Sequence, residues 1–366
     1  MGDMPKGDMP KERLKGLATG IGSLPHKDAE AALDLIFKYV PHIPFWPQLP
    51  KRDLREGMVA QFSESLPCLK VTQGRLFFDS KNKEKELEVF YEHIINNDTD
   101  YFKISEGFAL GLHKFIERLE KTNLKEVEFI KGQITGPFTF AASIKNEEGV
   151  VLLHDPVFMQ VILKGLTMKA LWQVKLFSKF NKKVIIFIDE PFLGCFGSAF
   201  TPINRPEVLT GLNELTGSIK AENVLLGVHC CGNTDWSMLT DVQGIDIISF
   251  DAFSYQEKFA LYAPELKNFL KRGGRVCWGI VPTQRSLGPE GASLLIDKIT
   301  EGINTLVKKG IDKDLLAENL LLSPACGLGA LEVEEPEKIF KLLFEASLKL
   351  PLAKTFLTSR LKKSKI

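Results

Sequence analysis

The sequence predicts one α/β architecture, a single (β/α)8 TIM barrel, from three observations. Short apolar runs rich in β-branched residues alternate with longer segments of helical period. Several short runs are apolar throughout, as in Val184-Ile185-Ile186-Phe187-Ile188, which suits strands buried on both faces of a parallel sheet. The chemically distinctive residues fall at the ends of these runs, and a barrel gathers strand ends at one mouth.

In chain order, strands are expected at 17–23, 43–47, 101–104, 126–132, 184–189, 223–229, 245–251, 275–281 and 319–324. A barrel needs only about eight, so one of these runs is an extra strand or no strand at all. Amphipathic stretches lie between most of them, at 28–39, 84–95, 107–120, 156–179, 257–271, 290–308 and 336–348. Residues 17–350 therefore read as the barrel, with 50–80 as an insertion at its mouth. Residues 1–16 repeat Gly-Asp-Met-Pro-Lys without an apolar period and read as a mobile arm; 351–366 read as a basic tail. The competing open, doubly wound sheet needs a glycine-rich turn after its first strand. In Gly20-Ile21-Gly22-Ser23-Leu24-Pro25, Pro25 stands where the third glycine should be.

Composition narrows the function classes. The 366 residues carry 47 basic and 46 acidic side chains, a net charge of +1, which gives no electrostatic case for nucleic acid or for an acidic partner. No apolar run approaches the roughly 18 residues of a membrane span, and no apolar segment follows the first lysines. A cytoplasmic protein with no membrane partner is expected. Six cysteines are too sparse for a disulfide scaffold, and adjacent Cys230 and Cys231 suit a reducing compartment.

Metal ligation is the better use of some of those thiols. His229 and Cys231, two apart at a strand end, point to the same side and can share an ion that Cys230 cannot reach. Cys326 ends the last strand, a barrel neighbour of the first, and Asp251 ends the strand after that of His229. One histidine, two thiolates and a carboxylate suit tetrahedral zinc, and two thiolates disfavour magnesium or calcium. A coordinating thiol is deprotonated, so such a site can activate a small thiol as a nucleophile. Zinc hydrolases more often use nitrogen and oxygen ligands.

The motifs Gly20-Ile21-Gly22-Ser23-Leu24-Pro25, Met58-Val59-Ala60-Gln61-Phe62-Ser63-Glu64-Ser65-Leu66, Ile134-Thr135-Gly136-Pro137, Ile188-Asp189-Glu190-Pro191, His229-x-Cys231 and Cys326-Gly327-Leu328 resemble, in that order, the catalytic barrel of cobalamin-independent methionine synthase. His229-Cys230-Cys231-Gly232 also resembles the His-x-Cys-Gly motif of zinc methyltransferases related to uroporphyrinogen decarboxylase. The resemblance implies zinc on His229, Cys231 and Cys326, with Asp251 where the family has a glutamate ligand. It also implies contacts from Ile21 and Ser23 to the amino-acid part of homocysteine, with the catalytic carboxylate Asp189 receiving the amino group.

Departures from the family pattern bear on the methyl donor. A second carboxylate for homocysteine is replaced by the basic pair Lys51-Arg52. The folate-stacking tryptophan aligns with Ser143, the pterin-binding glutamate with Cys195, and the histidine that protonates the leaving folate with Gln284. Loss of a general acid costs a factor of about 100 to 10,000, whereas a cobalt leaving group needs no proton. The expected activity is therefore methyl transfer to a homocysteine-like thiol from a corrinoid such as methylcobalamin, carried on a corrinoid protein. Folate-dependent methionine synthase, a uroporphyrinogen decarboxylase-like enzyme and a non-catalytic zinc protein are the alternatives.

Overall fold

A computed structural model describes residues 16–73, 75–198, 203–284 and 291–350. The expected arm lies outside the described residues but for Gly16, and the basic tail lies wholly outside them. The strands are β1 (Leu17–Ala18), β2 (Leu69–Thr72), β3 (Arg75–Phe78), β4 (Phe129–Thr135), β5 (Lys183–Asp189), β6 (Val224–Cys230), β7 (Ile247–Phe250), β8 (Arg275–Val281) and β9 (Leu320–Pro324). The helices are α1 (Ala29–Tyr39), α2 (Lys83–Ile95), α3 (Leu110–Lys121), α4 (Pro137–Ala142), α5 (Pro156–Ser178), α6 (Arg205–Ile219), α7 (Trp236–Asp241), α8 (Ala252–Phe259), α9 (Ala263–Lys271), α10 (Gly291–Lys308), α11 (Lys313–Glu318) and α12 (Glu335–Lys349).

The expected closed eight-stranded barrel is not what forms. Seven parallel strands make one curled sheet in the order β1-β9-β8-β7-β6-β5-β4. Between its edges runs 42–48, the stretch expected to supply the second strand. It touches each edge through a single parallel bridge, Gln48 with Ser23 and Phe45 with Lys131. Flanking backbone bonds run from Gln48 N–H to Gly22 O (3.1 Å), Leu24 N–H to Gln48 O (2.9 Å) and Lys131 N–H to Pro44 O (2.9 Å). Pro44 and Pro47 have no N–H to give, so a continuous ladder cannot form here. The eighth stave is a proline-punctuated seam.

Residues 101–104 are likewise no strand. Phe102 and Ile104 are fully buried, with the Phe102 ring 5.5 Å from that of Phe90 on α2. Their apolar pattern records burial under helices, not ladder pairing. Residues 50–80 hold two 3-10 turns, Leu54–Glu56 and Ala60–Phe62, and the antiparallel β2–β3 hairpin.

Alternation along the strands sorts the core into two layers. Ile43, Phe129, Ile185, Phe187, Ile247, Cys277 and Leu321 fill the inside of the curl. Their neighbours Ile130, Val184, Ile186 and Ile248 pack outward against the helices. Caps set the helix starts: Asp155 accepts from the Val157 and Phe158 amides to begin α5, and Asn204 with Glu207 forms a capping box on α6. Among the described residues no helix is long and apolar enough to cross a membrane.

Gly111 fixes α3 against the seam. A Cβ there would stand 2.0 Å from the Pro47 carbonyl oxygen, a backbone atom that cannot step aside cheaply. Gly111→Ala is expected to destabilise the chain by about 1–3 kcal/mol despite alanine's better helix propensity. Urea denaturation checks this, and an unchanged midpoint would show that the seam yields.

Candidate functional site

Parallel strands place their C-terminal ends on one rim. Asp189 ends β5 opposite His229 of β6, and His229 pairs in register with Ser249 of β7. Cys231 follows β6, Asp251 follows β7, and Cys326 lies two residues past β9.

One ligand atom from each of His229, Cys231 and Cys326 lies within 4.8 Å of the others. Donors on a tetrahedral zinc are separated by roughly 3.4–3.8 Å, given zinc–sulfur and zinc–nitrogen bonds of about 2.3 and 2.0 Å, so the three fit such an ion with little movement. His229 is buried, and its Nδ1 lies 3.0 Å from Ser249 Oγ while Nε2 has no partner. With the Nδ1 proton donated to Ser249, Nε2 keeps the lone pair that a metal ligand needs. The neighbouring Cys326 thiol, and then the His229 ring, lower the Cys231 pKa, while Cys231 and burial raise that of Cys326. Cys230 faces the other way, its thiol pushed up to about 12 by burial. Cys230 thus lies outside the group that His229, Cys231 and Cys326 form.

Asp251 does not join this group. Its side chain caps α8, with Oδ1 accepting from the Ser254 amide at 2.9 Å. A side chain one methylene shorter than glutamate stays with its own helix.

Asp189 is buried with Oδ1 unpartnered. Burial pushes its pKa up to about 6, against the opposing pull of His229 and Lys131. Lys131, which the sequence reading passed over, lies wholly inside the curl. Its Nζ donates to the Ile21 carbonyl at 2.6 Å and stands 4.4 Å from the Phe187 ring centroid, and burial brings its pKa down to about 8. The signal was visible as a lone lysine in an apolar strand. Ser23 meets the Cys326 loop: its Oγ accepts from Gly329 N–H at 3.2 Å and its carbonyl from Leu328 N–H at 2.9 Å. A Cβ on Gly327 would stand 2.3 Å from Ser23 Oγ, so glycine is what allows this approach.

Glu190, also passed over, is fully buried. Its carboxylate accepts from the Phe138 and Thr139 amides and from Thr139 Oγ1, tying the end of β5 to the start of α4. Lys51 donates to the Leu331 carbonyl at 2.6 Å, and Arg52 pairs with buried Glu56. Ser143 caps back onto the Thr139 carbonyl at 2.6 Å, and Cys195 and Gln284 are exposed.

No protein-family model matches the chain. The sequence is similar to a methionine synthase of Methanocaldococcus jannaschii, 25% identical over 228 residues, which is 60% of this chain. The aligned part spans 64% of that relative's length. Among solved structures, the fold is similar to a candidate vitamin-B12-independent methionine synthase from Listeria monocytogenes, with a TM-score of 0.49, 12% identity, and 88% of this chain and 85% of that one covered. A second likeness, to a GH138 enzyme targeting pectin rhamnogalacturonan II, has a TM-score of 0.29 at 12% identity, covering 68% of this chain and 36% of that one.

Proposed function

We propose that this chain is a zinc-dependent methyltransferase that places a methyl group on the sulfur of a small homocysteine-like thiol. The observation that carries the reading is the convergence of His229, Cys231 and Cys326 from two separate strand ends, with His229 Nε2 buried and unpartnered. Similarity to a methionine synthase supports it.

His229, Cys231 and Cys326 would hold the ion and leave one position for the incoming thiol. When bound, zinc supplies the Lewis acidity that keeps a thiol ionised at neutral pH. Ser249 holds the His229 ring through Nδ1, which leaves Nε2 as the nitrogen free to ligate. Asp189, with a pKa near 6, is mostly ionised at neutral pH and accepts from the substrate ammonium. The Ile21–Ser23 segment beyond β1 is held by Lys131 and by the Cys326 loop, and it positions the rest of the amino acid. A cytoplasmic setting keeps Cys231 and Cys326 reduced.

The methyl donor in this reading is a methyl-corrinoid, presented on a partner corrinoid protein. Its leaving group needs no proton, and Gln284 cannot protonate a departing folate. Zinc-loaded protein is incubated with homocysteine and either methylcobalamin or methyl-tetrahydrofolate, and methionine is measured. Methionine is expected from methylcobalamin, with folate slower by a factor of about 100 or more. Comparable rates with folate would overturn the donor assignment, and no methionine from either would overturn the thiol-methylation reading.

A further inference from the structure

Resting on the thiol-methyltransferase reading, the geometry points to Gln133 as a specificity-determining residue whose side-chain oxygen accepts a hydrogen bond from a substrate ammonium shared with Asp189. Gln133 is fully buried on β4, on the face that turns Phe129 and Lys131 into the curl. Its Nε2 donates to the Trp46 carbonyl at 3.1 Å. That carbonyl can only accept, so it fixes the amide with nitrogen toward it and oxygen away. Oε1 then has no partner at all.

Its surroundings are those of the proposed thiol site. A Cβ on Gly22 would stand 3.3 Å from Gln133 Cδ, so the amide lies against the backbone between Ile21 and Ser23. On the other side is β5, where Asp189 pairs in register with Thr135, two residues beyond Gln133 on the same face. Asp189 Oδ1 is also buried and unpartnered. Two orphaned acceptors on neighbouring strands call for a donor between them, since each left unmatched costs about 1–3 kcal/mol. An ammonium supplies N–H groups to both.

This arrangement answers the basic residues at the mouth. Lys51 and Arg52 supply no carboxylate, and Arg52 is paired with Glu56. A neutral amide oxygen beside one carboxylate accepts a cation without putting a second negative charge near the thiolates. A site built this way discriminates against an analogue that lacks the donor, because its acceptors stay unmatched.

The test uses the full zinc-loaded chain and two thiols, homocysteine and 4-mercaptobutyrate, which differ only in the amino group. Dissociation constants are measured by calorimetry for wild type and Gln133→Met, with zinc content and melting temperature verifying the fold. Gln133→Met is expected to weaken homocysteine binding about tenfold and to leave 4-mercaptobutyrate within about twofold. The methyltransferase assay should show the Met effect in KM rather than kcat. Equal weakening of both thiols would reduce Gln133 to a packing role and overturn the assignment, as would no change for either. Failure of wild type to bind either thiol would instead overturn the functional reading, and the Gln133 role with it.

Discussion

Chains carrying Cys231→Ser or Cys326→Ser are expected to lose more than about nine-tenths of their bound zinc and to show no measurable thiol methylation. Changing a group that only orients a ligand costs about 10–100-fold in metal affinity, and deleting a ligand costs more. Each substitution leaves only His229 and one thiolate, because Asp251 is held at the start of α8. A serine hydroxyl does not ionise at neutral pH, so it cannot replace the sulfur. Ser249→Ala should give the intermediate loss, since it frees the ring while keeping all three donors. Cys230→Ala should keep its zinc, because that thiol faces Gly232 on the other side of the strand. Metal analysis with chelator competition orders the four variants. Full zinc in Cys231→Ser would remove that residue from the ligand set.

Glu190→Ala should produce the largest loss of stability, about 3 kcal/mol or more, because it strips an acceptor from two buried amides and a hydroxyl at once. Methylation should fall with it, since Asp189 is the adjacent residue and the same carboxylate anchors the end of β5. The group also carries a pH signature. Burial pushes its pKa up to about 7 from 4.5, so the folded chain holds this proton where the unfolded chain has released it. The part of its stability that is linked to this proton is complete below about pH 4.5, declines as pH rises, and is lost as pH passes about 7. Glu190→Gln does not titrate. The wild-type minus variant difference in unfolding free energy should therefore fall between pH 4.5 and 7 and level off above it. A difference that is flat across that range would show that Glu190 stays ionised on its three donors.

Much of the layout was legible because the signals were local. A continuous apolar run marked β5, and mainly apolar ones marked β4, β6, β8 and β9. The seam was misread because 43–47 has strand-like residues while its prolines decide the pairing, and that effect depends on which neighbours offer acceptors. Helix α6 was missed although Asn204 and Glu207 spell its capping box. At the rim, Asp251 had the right place in sequence. Its side chain is claimed by its own helix, a competition that spacing does not reveal. Lys131, Ser249, Glu190 and Gln133 act through partners 20 to more than 100 residues distant, as in the contact of Lys131 with Ile21.

The seam at 42–48 also makes the girdle uneven in stiffness. Elsewhere, neighbouring strands are laced by ladders, and a change in girth would have to shear several bonds together. Here the hoop is pinned by isolated bridges on either side of prolines that cannot share load. Mechanically the wall is a spring with one soft link. That link adjoins both Ser23 and Lys131, so the first part to yield under strain is the part that borders the proposed thiol site.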